Sequence, residues 1–402
     1  MTSATALQKF VDELAAISGP EHVQVEDGVV SVIPANTQEI AAVLRRANQS
    51  GIPVSPYGGG TKQSWGNPVR PTLILHTKRL AAVLEHTWQD MTCTVEAGCA
   101  WSSMQLSLAK HGQFVALDPL WPDRATVGGV GATNDSGTLR LRYGSLRDLV
   151  IGMTVVLADG VIARSGGKVV KNVAGYDLHK LMTGAFGTLG LITEITFRLH
   201  SIPQHVQSFT ISSPGGEPLG RLLMDILNSH LSAQSVQLRS GSDGHNLDVR
   251  LATLPEVIRD QAFSLAKLAE SVHLSISDAS PAVWTSRENH FEQTDSFVIK
   301  ATMLPSDITR IAARVHALGG SSTTQATGIM IASIPIAASA QLLDLRKQLE
   351  AIHGSLTILH NPLDGRAPES STPVDTLSLM HELKRRFDPN RILNPGRFVG
   401  GI

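Results

Sequence analysis

The sequence predicts an α+β protein of two or three domains, and three observations carry that prediction. The chain has 402 residues, well beyond the roughly 150 of a typical domain. Strand-like and helix-like apolar periodicities alternate through its first half and return in its second. Four glycine-rich stretches punctuate these elements: Tyr57-Gly58-Gly59-Gly60-Thr61, Thr126-Val127-Gly128-Gly129, Gly184-Ala185-Phe186-Gly187-Thr188-Leu189-Gly190 and Asn394-Pro395-Gly396. Glycine lacks the Cβ that would hold a ligand away, and peptide N–H groups in such turns can face phosphate oxygens. The four stretches therefore predict convergence on one large anionic ligand, a dinucleotide.

The elements follow in order. Val29, Val30, Val32 and Ile33 read as a strand ending before Pro34. A helix is predicted over 37–49, with Asn36 as cap, Glu39 reaching back to it, and Ile40, Val43, Leu44 and Ala47 on one face. Gly51 ends it. Ile52–Ser55 forms the next strand and leads into Gly58–Gly60. No GxGxxG motif opens the following segment and Gly60-Thr61-Lys62 is no P-loop, so a standard Rossmann unit and ATP chemistry both lose support. Strands are predicted at Thr72–Leu75 and Thr92–Glu96, and a helix at Met104–His111. Asp159-Gly160 between Met153–Ala158 and Val161–Ala163 signals an antiparallel hairpin. A short helix carries Leu178 and Leu181. The strand through Ile192, Ile195, Phe197 and Leu199 breaks phase between 192 and 195, as a bulge would. Tyr176 and Asp177 are candidates to line the cofactor site, with a core tyrosine and a capping aspartate as the alternative.

From Gln207 to Thr376 the pattern is that of a smaller α/β domain. Helices are predicted at 219–231 and 338–352 and strands at Phe297–Ala301 and Gly328–Ile334, while Ser321–Thr324 reads as an exposed turn. Lys384, Arg385 and Arg386 read as a solvated helix face, with phosphate contact as the alternative.

Composition excludes several function classes. With 42% hydrophobic and 17% charged residues and a mean hydropathy of +0.04, the chain suits a soluble globular protein. Its net charge of -1, from 34 basic and 35 acidic residues, comes without a basic run, which argues against nucleic acid as partner. The N-terminal MTSATALQKF has no signal-peptide pattern and no long apolar segment follows, so the expected location is cytoplasmic. Cys93 and Cys99 are the only cysteines; they supply no iron-sulfur ligand set and are expected to be reduced and structural.

PYGGGTK at 56–62, DPLWPDRATVGGVGATNDSG at 118–137, RYGSLRDLVIGMTVVLADG at 142–160 and KNVAGYDLHKLMTGAFGTLGLITE at 171–194 closely resemble the non-covalent FAD-binding branch of the vanillyl-alcohol-oxidase type flavoproteins, and within it the E subunits of bacterial glycolate oxidases (glycolate dehydrogenases). The resemblance implies a two-lobed PCMH-type FAD-binding domain over 1–206, a cap domain over 207–376 and a C-terminal segment, 377–402, returning to the FAD-binding domain. By the same resemblance Gly58, Gly59, Gly60 and Thr61 embrace the pyrophosphate. Thr126, Gly128, Gly129, Ala132, Asn134 and Ser136 approach the flavin and ribityl side, Gly187 and Ile192 serve the adenosine side, and Asn394 joins the flavin pocket. The histidine that attaches flavin covalently in some relatives is missing from the first glycine loop, so the expected FAD is non-covalent.

In related D-lactate and glycolate flavoenzyme subunits a cap motif resembling HxGDGN carries metal-associated and catalytic histidines. Here His353-Gly354-Ser355 and His360-Asn361-Pro362-Leu363-Asp364-Gly365 depart from it; Pro362 argues against a helical pairing of His360 with Asp364. His290, His316 and His353 show no compact ligand spacing, so no metal site and no catalytic residue are assigned. Arg142 is a candidate for carboxylate or phosphate contact, with a surface charge the alternative. The resemblance implies an FAD-bearing accessory subunit that supports oxidation of glycolate to glyoxylate. Its implied partners are a paralogous FAD-containing catalytic subunit and an iron-sulfur subunit that holds the clusters. Electrons would pass to a quinone-linked acceptor, with the assembly meeting the inner face of the membrane through its partners. A stand-alone FAD-dependent D-2-hydroxy-acid dehydrogenase and a flavin-containing structural subunit are the alternatives.

Overall fold

The computed structural model describes residues 3–167, 177–242, 244–363 and 375–402. The first lobe is a four-stranded sheet of β1 (Val23–Glu26), β2 (Val29–Val32), β3 (Val54–Tyr57) and β4 (Leu73–His76) in the order β1-β2-β4-β3. β2 and β3 both run parallel to β4, so the connection through a helix is a crossover. α1 (Ser3–Ser18) and that crossover helix, α2 (Thr37–Ser50), bury Phe10, Leu14, Ile40, Val43, Leu44 and Ala47 in the lobe's core. α2 begins as predicted. The Glu39 N–H donates to Asn36 Oδ1 at 2.9 Å, and the Glu39 carboxylate accepts the Ala35 N–H at 2.8 Å, one residue before the cap. Gly51 ends the helix at φ 63.

The second lobe is an antiparallel sheet of β5 (Val83–Thr87), β6 (Thr92–Glu96), β7 (Val150–Val156), β8 (Ile162–Gly166) and β9 (Leu191–Arg198), ordered β5-β6-β9-β7-β8. Asp159-Gly160 joins β7 to antiparallel β8, with Gly160 at φ 82. The register of β9 against β7 slips between Ile192 and Glu194, which is the bulge anticipated there. α3 (Trp101–Ala109) starts three residues earlier than Met104, and α4 (Val127–Thr133) is the short helix opened by the second glycine-rich stretch.

Residues 205–360 build an antiparallel sheet of eight strands. They run from the short Ser277–Asp278 through β10 (His205–Ser213), β12 (Gly244–Thr253), β11 (Ala233–Gly241), β14 (Ser321–Gln325), β15 (Ile329–Pro335) and β13 (Ser296–Thr302) to β16 (Ser355–His360). One face carries α5 (Gly216–Leu227), α6 (Ile258–Ser271), α7 (Ile308–Ala317) and α8 (Leu342–Glu350) over an aliphatic core. The other face meets the first two lobes, and it places Ser321–Thr324 in a central strand rather than an exposed turn. Ser322, Thr323 and Thr324 are buried. Threonine's β-branched side chain suits a strand, and the Thr323 hydroxyl is matched by the His290 ring at 3.0 Å. A polar run is thus buried in a central strand, where the Thr323 hydroxyl finds its partner.

α9 (Leu377–Phe387) and the chain after it return to the first lobe: the Val54 N–H donates to Ile392 O and the Asn394 N–H to Val54 O. Lys384 on α9 is buried rather than solvated, whereas Arg385 and Arg386 pair with Glu382 on the exposed side. Among the described residues no helix is long and apolar enough to cross a membrane.

Candidate functional site

A groove of about 670 Å³ opens where the loop after β3, the start of α4, the loop before β9 and the C-terminal tail meet. Its first wall is Gly58–Thr61. The N–H groups of these four residues have no hydrogen-bond partner among the described residues, so successive donors are left to face an anion. The loop needs its glycines for close packing: a Cβ at Gly59 would lie 1.7 Å from Arg124 O. Gly60 holds φ 72, which an L side chain adopts only under strain.

The second wall differs in its chemistry. The Val127 N–H donates to Cys99 O at 2.9 Å and the Gly128 N–H to Ala97 O at 2.7 Å, while the Gly129 N–H reaches the capping Thr126 Oγ1 at 3.3 Å. These amides are spent on the fold, so Gly128, Gly129 and Ala132 present a small, flat carbon surface rather than a row of donors. The third wall holds Gly187, at φ 68, and Ile192. Asn394 locks the fourth to the first: its Oδ1 accepts Ser55 Oγ at 2.8 Å and its Nδ2 donates to Phe186 O at 2.7 Å.

Gly58, Gly59, Gly60, Thr61, Thr126, Gly128, Gly129, Ala132, Gly187, Ile192 and Asn394 therefore line one groove. Asn134 and Ser136 do not. Asn134 ends α4 at φ 49, with its Oδ1 buried and unpartnered among the described residues. The buried Ser136 offers its carbonyl to Arg287 at 3.1 Å and to Gln325 at 2.9 Å, holding the eight-stranded sheet to the second lobe.

Two groove residues escaped sequence reasoning. Lys62, one position past Thr61, is buried with its Nζ 3.2 Å from Asp135, 3.3 Å from Leu120 O and over the Trp65 and Trp121 rings. Burial pulls its pKa down against the opposing pull of Asp135. Arg397, one position past Gly396, donates to Lys62 O, Trp65 O and Gln63 Oε1, and burial lowers its pKa to about 10. Each sits directly after a glycine motif, the one signal that could have found it.

Other candidates lie elsewhere. Asp177 is an exposed partner of Lys180 at 2.8 Å, and Tyr176 and Asp364 lie outside the described residues. Arg142 is exposed, and its Nη1 donates to Ala252 O at 2.6 Å, tying the second lobe to β12. Cys93 and Cys99 are buried free thiols, the former pushed up to about 12 by burial. His290 is buried against Ser333 and Thr323, and burial drives its pKa down to about 4, so it is a neutral imidazole. Among the described residues no three His, Cys, Asp or Glu side chains cluster as metal ligands.

Residues 29–166 match the FAD binding domain family, and 368–398 match the C-terminal domain of FAD linked oxidases. The chain is 27% identical to the D-lactate dehydrogenase of Archaeoglobus fulgidus, over 93% of this chain and 92% of that one. It is 27% identical to the mitochondrial D-lactate dehydrogenase [cytochrome] of Arabidopsis thaliana, over 92% of this chain and 73% of the relative. Identity to the glycolate oxidase subunit GlcD of Bacillus subtilis is higher, 38%, but covers 46% of this chain and only 39% of that one. The fold is that of p-cresol methylhydroxylase, with a TM-score of 0.78 over 98% of this chain and 97% of that one at 16% identity. The unpartnered amides of Gly58–Thr61, the glycine wall and the lack of a histidine or cysteine among the groove's lining residues fit FAD held without a covalent bond. The chain has a PCMH-type FAD-binding architecture, its residues 29–166 match the FAD binding domain family, and it is similar to D-lactate dehydrogenases and to GlcD.

Proposed function

We propose that this chain is an FAD-dependent dehydrogenase of a D-2-hydroxy acid. The observation that carries the reading is the near end-to-end alignment with a D-lactate dehydrogenase, which includes the eight-stranded sheet as well as the groove. In this reading the division is 1–206 for FAD, 207–376 for the cap and 377–402 for the returning tail. The Gly58–Thr61 amides hold the diphosphate, the Gly128–Ala132 surface supports the ring system, and Gly187 and Ile192 flank the adenosine side. Bound FAD supplies the two-electron acceptor. Asn394 and Arg397 keep the tail closed over the site, and Lys62 adds positive charge beside it.

A second reading is favoured by one specific observation. Trp65, Leu120, Val298, Ile331 and Leu359 form a buried apolar cluster, joined by Trp121, Phe186 and Phe291, between the groove and the eight-stranded sheet. Such packing fills the space beside the groove with side chains, and the 38% identity to a glycolate oxidase subunit over 46% of this chain supports reading it as a flavin-bearing subunit of a glycolate-oxidase-type assembly. Its companions would be a paralogous FAD-containing catalytic subunit and an iron-sulfur subunit passing electrons to a quinone-linked acceptor. Anaerobic titration of the single FAD-loaded chain with D-lactate and with glycolate separates the two. Rapid bleaching of the flavin absorbance supports the dehydrogenase; a bound flavin that stays oxidised with both overturns it and leaves the accessory role.

A further inference from the structure

A second cleft, of about 1420 Å³, lies where α3 and residues 114–123 face β12 and the short 3₁₀ turn at Pro281–Thr285, and it shares no lining residue with the FAD groove. Its apolar walls include Leu106, Phe114, Leu117 and Ile202. Leu106 is 71% exposed and Ile202 43% exposed, so large aliphatic groups stand in water here.

Arg250 of β12 enters this cleft. Its guanidinium lies 4.3 Å from the centroid of Trp284, whose indole N–H is anchored to Ser208 Oγ at 3.1 Å. One face of the guanidinium is thereby covered. The group makes no hydrogen bond or ion pair among the described residues, and its Nε is buried without a partner. The neighbouring charged groups make their hydrogen bonds elsewhere, and the charge of Asp118 acts on Arg250 without a bond to it. Asp118 accepts from the Thr138 N–H, the Thr138 hydroxyl and the Leu139 N–H, Glu288 accepts the Trp121 N–H, and Arg287 donates to Ser136 O and Asp118 O. Asp123, also on the lining, is exposed and solvated.

A permanently charged, partly desolvated guanidinium with open donor positions is costly unless an anion meets it. Its fork matches a carboxylate, and the aliphatic walls beside it match an apolar tail. We propose that this cleft binds an amphipathic monocarboxylate, with its carboxylate on the open edge of Arg250 and its hydrocarbon body along Leu106, Leu117 and Ile202. The site is independent of the redox reading, because its occupancy is read without turnover.

The test is isothermal titration calorimetry of the FAD-loaded chain with octanoate and with 1-octanol. Octanoate binds once per chain, octanol binds about tenfold more weakly or less, and Arg250→Met lowers octanoate affinity by about tenfold or more while keeping the flavin spectrum. Leu106→Asp, at an exposed position that the fold tolerates, also weakens octanoate by placing a like charge on the wall. It decides alone should Arg250→Met fail to hold FAD. Absence of binding heat with octanoate, equal affinity for octanol, or variants that bind octanoate as the parent does would each overturn the site.

Discussion

Lys384 and Lys62 are both buried, both paired with an aspartate and both close to the FAD groove, yet they are held in different ways. Lys384 donates to Asp388 at 2.7 Å, Thr188 O at 2.8 Å and Leu393 O at 2.8 Å, using all three of its protons. Asp388 in turn accepts the Ile392 and Leu393 N–H groups. This closed network clamps the tail and so presents Asn394 and Arg397 to the groove. Lys62 has two longer contacts and two aromatic rings, and its Asp135 is shared with the Leu120 N–H and, at 3.8 Å, with Arg287. The contrast separates a clamp that sets the fold from a seam that sets local charge.

The largest expected effect tests the clamp. Lys384→Met strands Asp388 as an unpaired buried charge and lowers stability by about 3–5 kcal/mol, read as the shift of the urea midpoint at constant slope. FAD retention falls with it, because Asn394 and Arg397 lose their anchor.

The seam is expected to answer to pH through His290, whose neighbour Phe291 packs on Trp65 and Trp121, the rings beneath Lys62. Its folded pKa of about 4 lies below the ordinary value of 6.5, so the stability it contributes is full above about pH 6.5 and is lost as pH falls toward 4. The shift corresponds to about 3 kcal/mol. Urea unfolding at pH 7 and pH 4 measures it; His290→Gln should flatten that part of the pH slope, and an unchanged slope would remove His290 from the account.

Within the groove, Gly59→Ala forces a Cβ against Arg124 O, and strain of about 1–3 kcal/mol should weaken FAD binding roughly tenfold to a hundredfold. Gly215→Ala, outside the groove, is the control. Its Cβ would meet no atom within 4 Å, and FAD affinity measured by flavin fluorescence should not change.

How much of this was legible in sequence follows from the range of each interaction. The cap and stop of α2, the Asp159-Gly160 hairpin and the bulge at Ile192 depend on neighbours a few residues apart, and local pattern revealed them. The groove glycines were legible because a close approach of backbones leaves a residue type behind. Ser321–Thr324 misled because the partners that make its hydroxyls acceptable in a central strand lie elsewhere: His290 comes from a short 3₁₀ turn some 30 residues away. Lys384 misled for the same reason, since Thr188 is 196 positions distant. Ser136 and Arg142 also serve the join between lobes, which sequence spacing does not encode.

The smallest effect is the one that tests the comparison itself. Lys62→Met keeps the stem that packs on Trp65 and Trp121 and removes only the charge. Asp135 then still has the Leu120 N–H at 2.8 Å and Arg287 as the remaining cation, so the stability loss should be about 1–2 kcal/mol, well below that of Lys384→Met. Because Lys62 lines the groove, the same change should make the bound flavin harder to reduce, a shift readable by dye-coupled titration. A stability loss equal to that of Lys384→Met would mean that the seam is a second clamp, whereas an unmoved flavin potential would mean that its charge does not act on the cofactor.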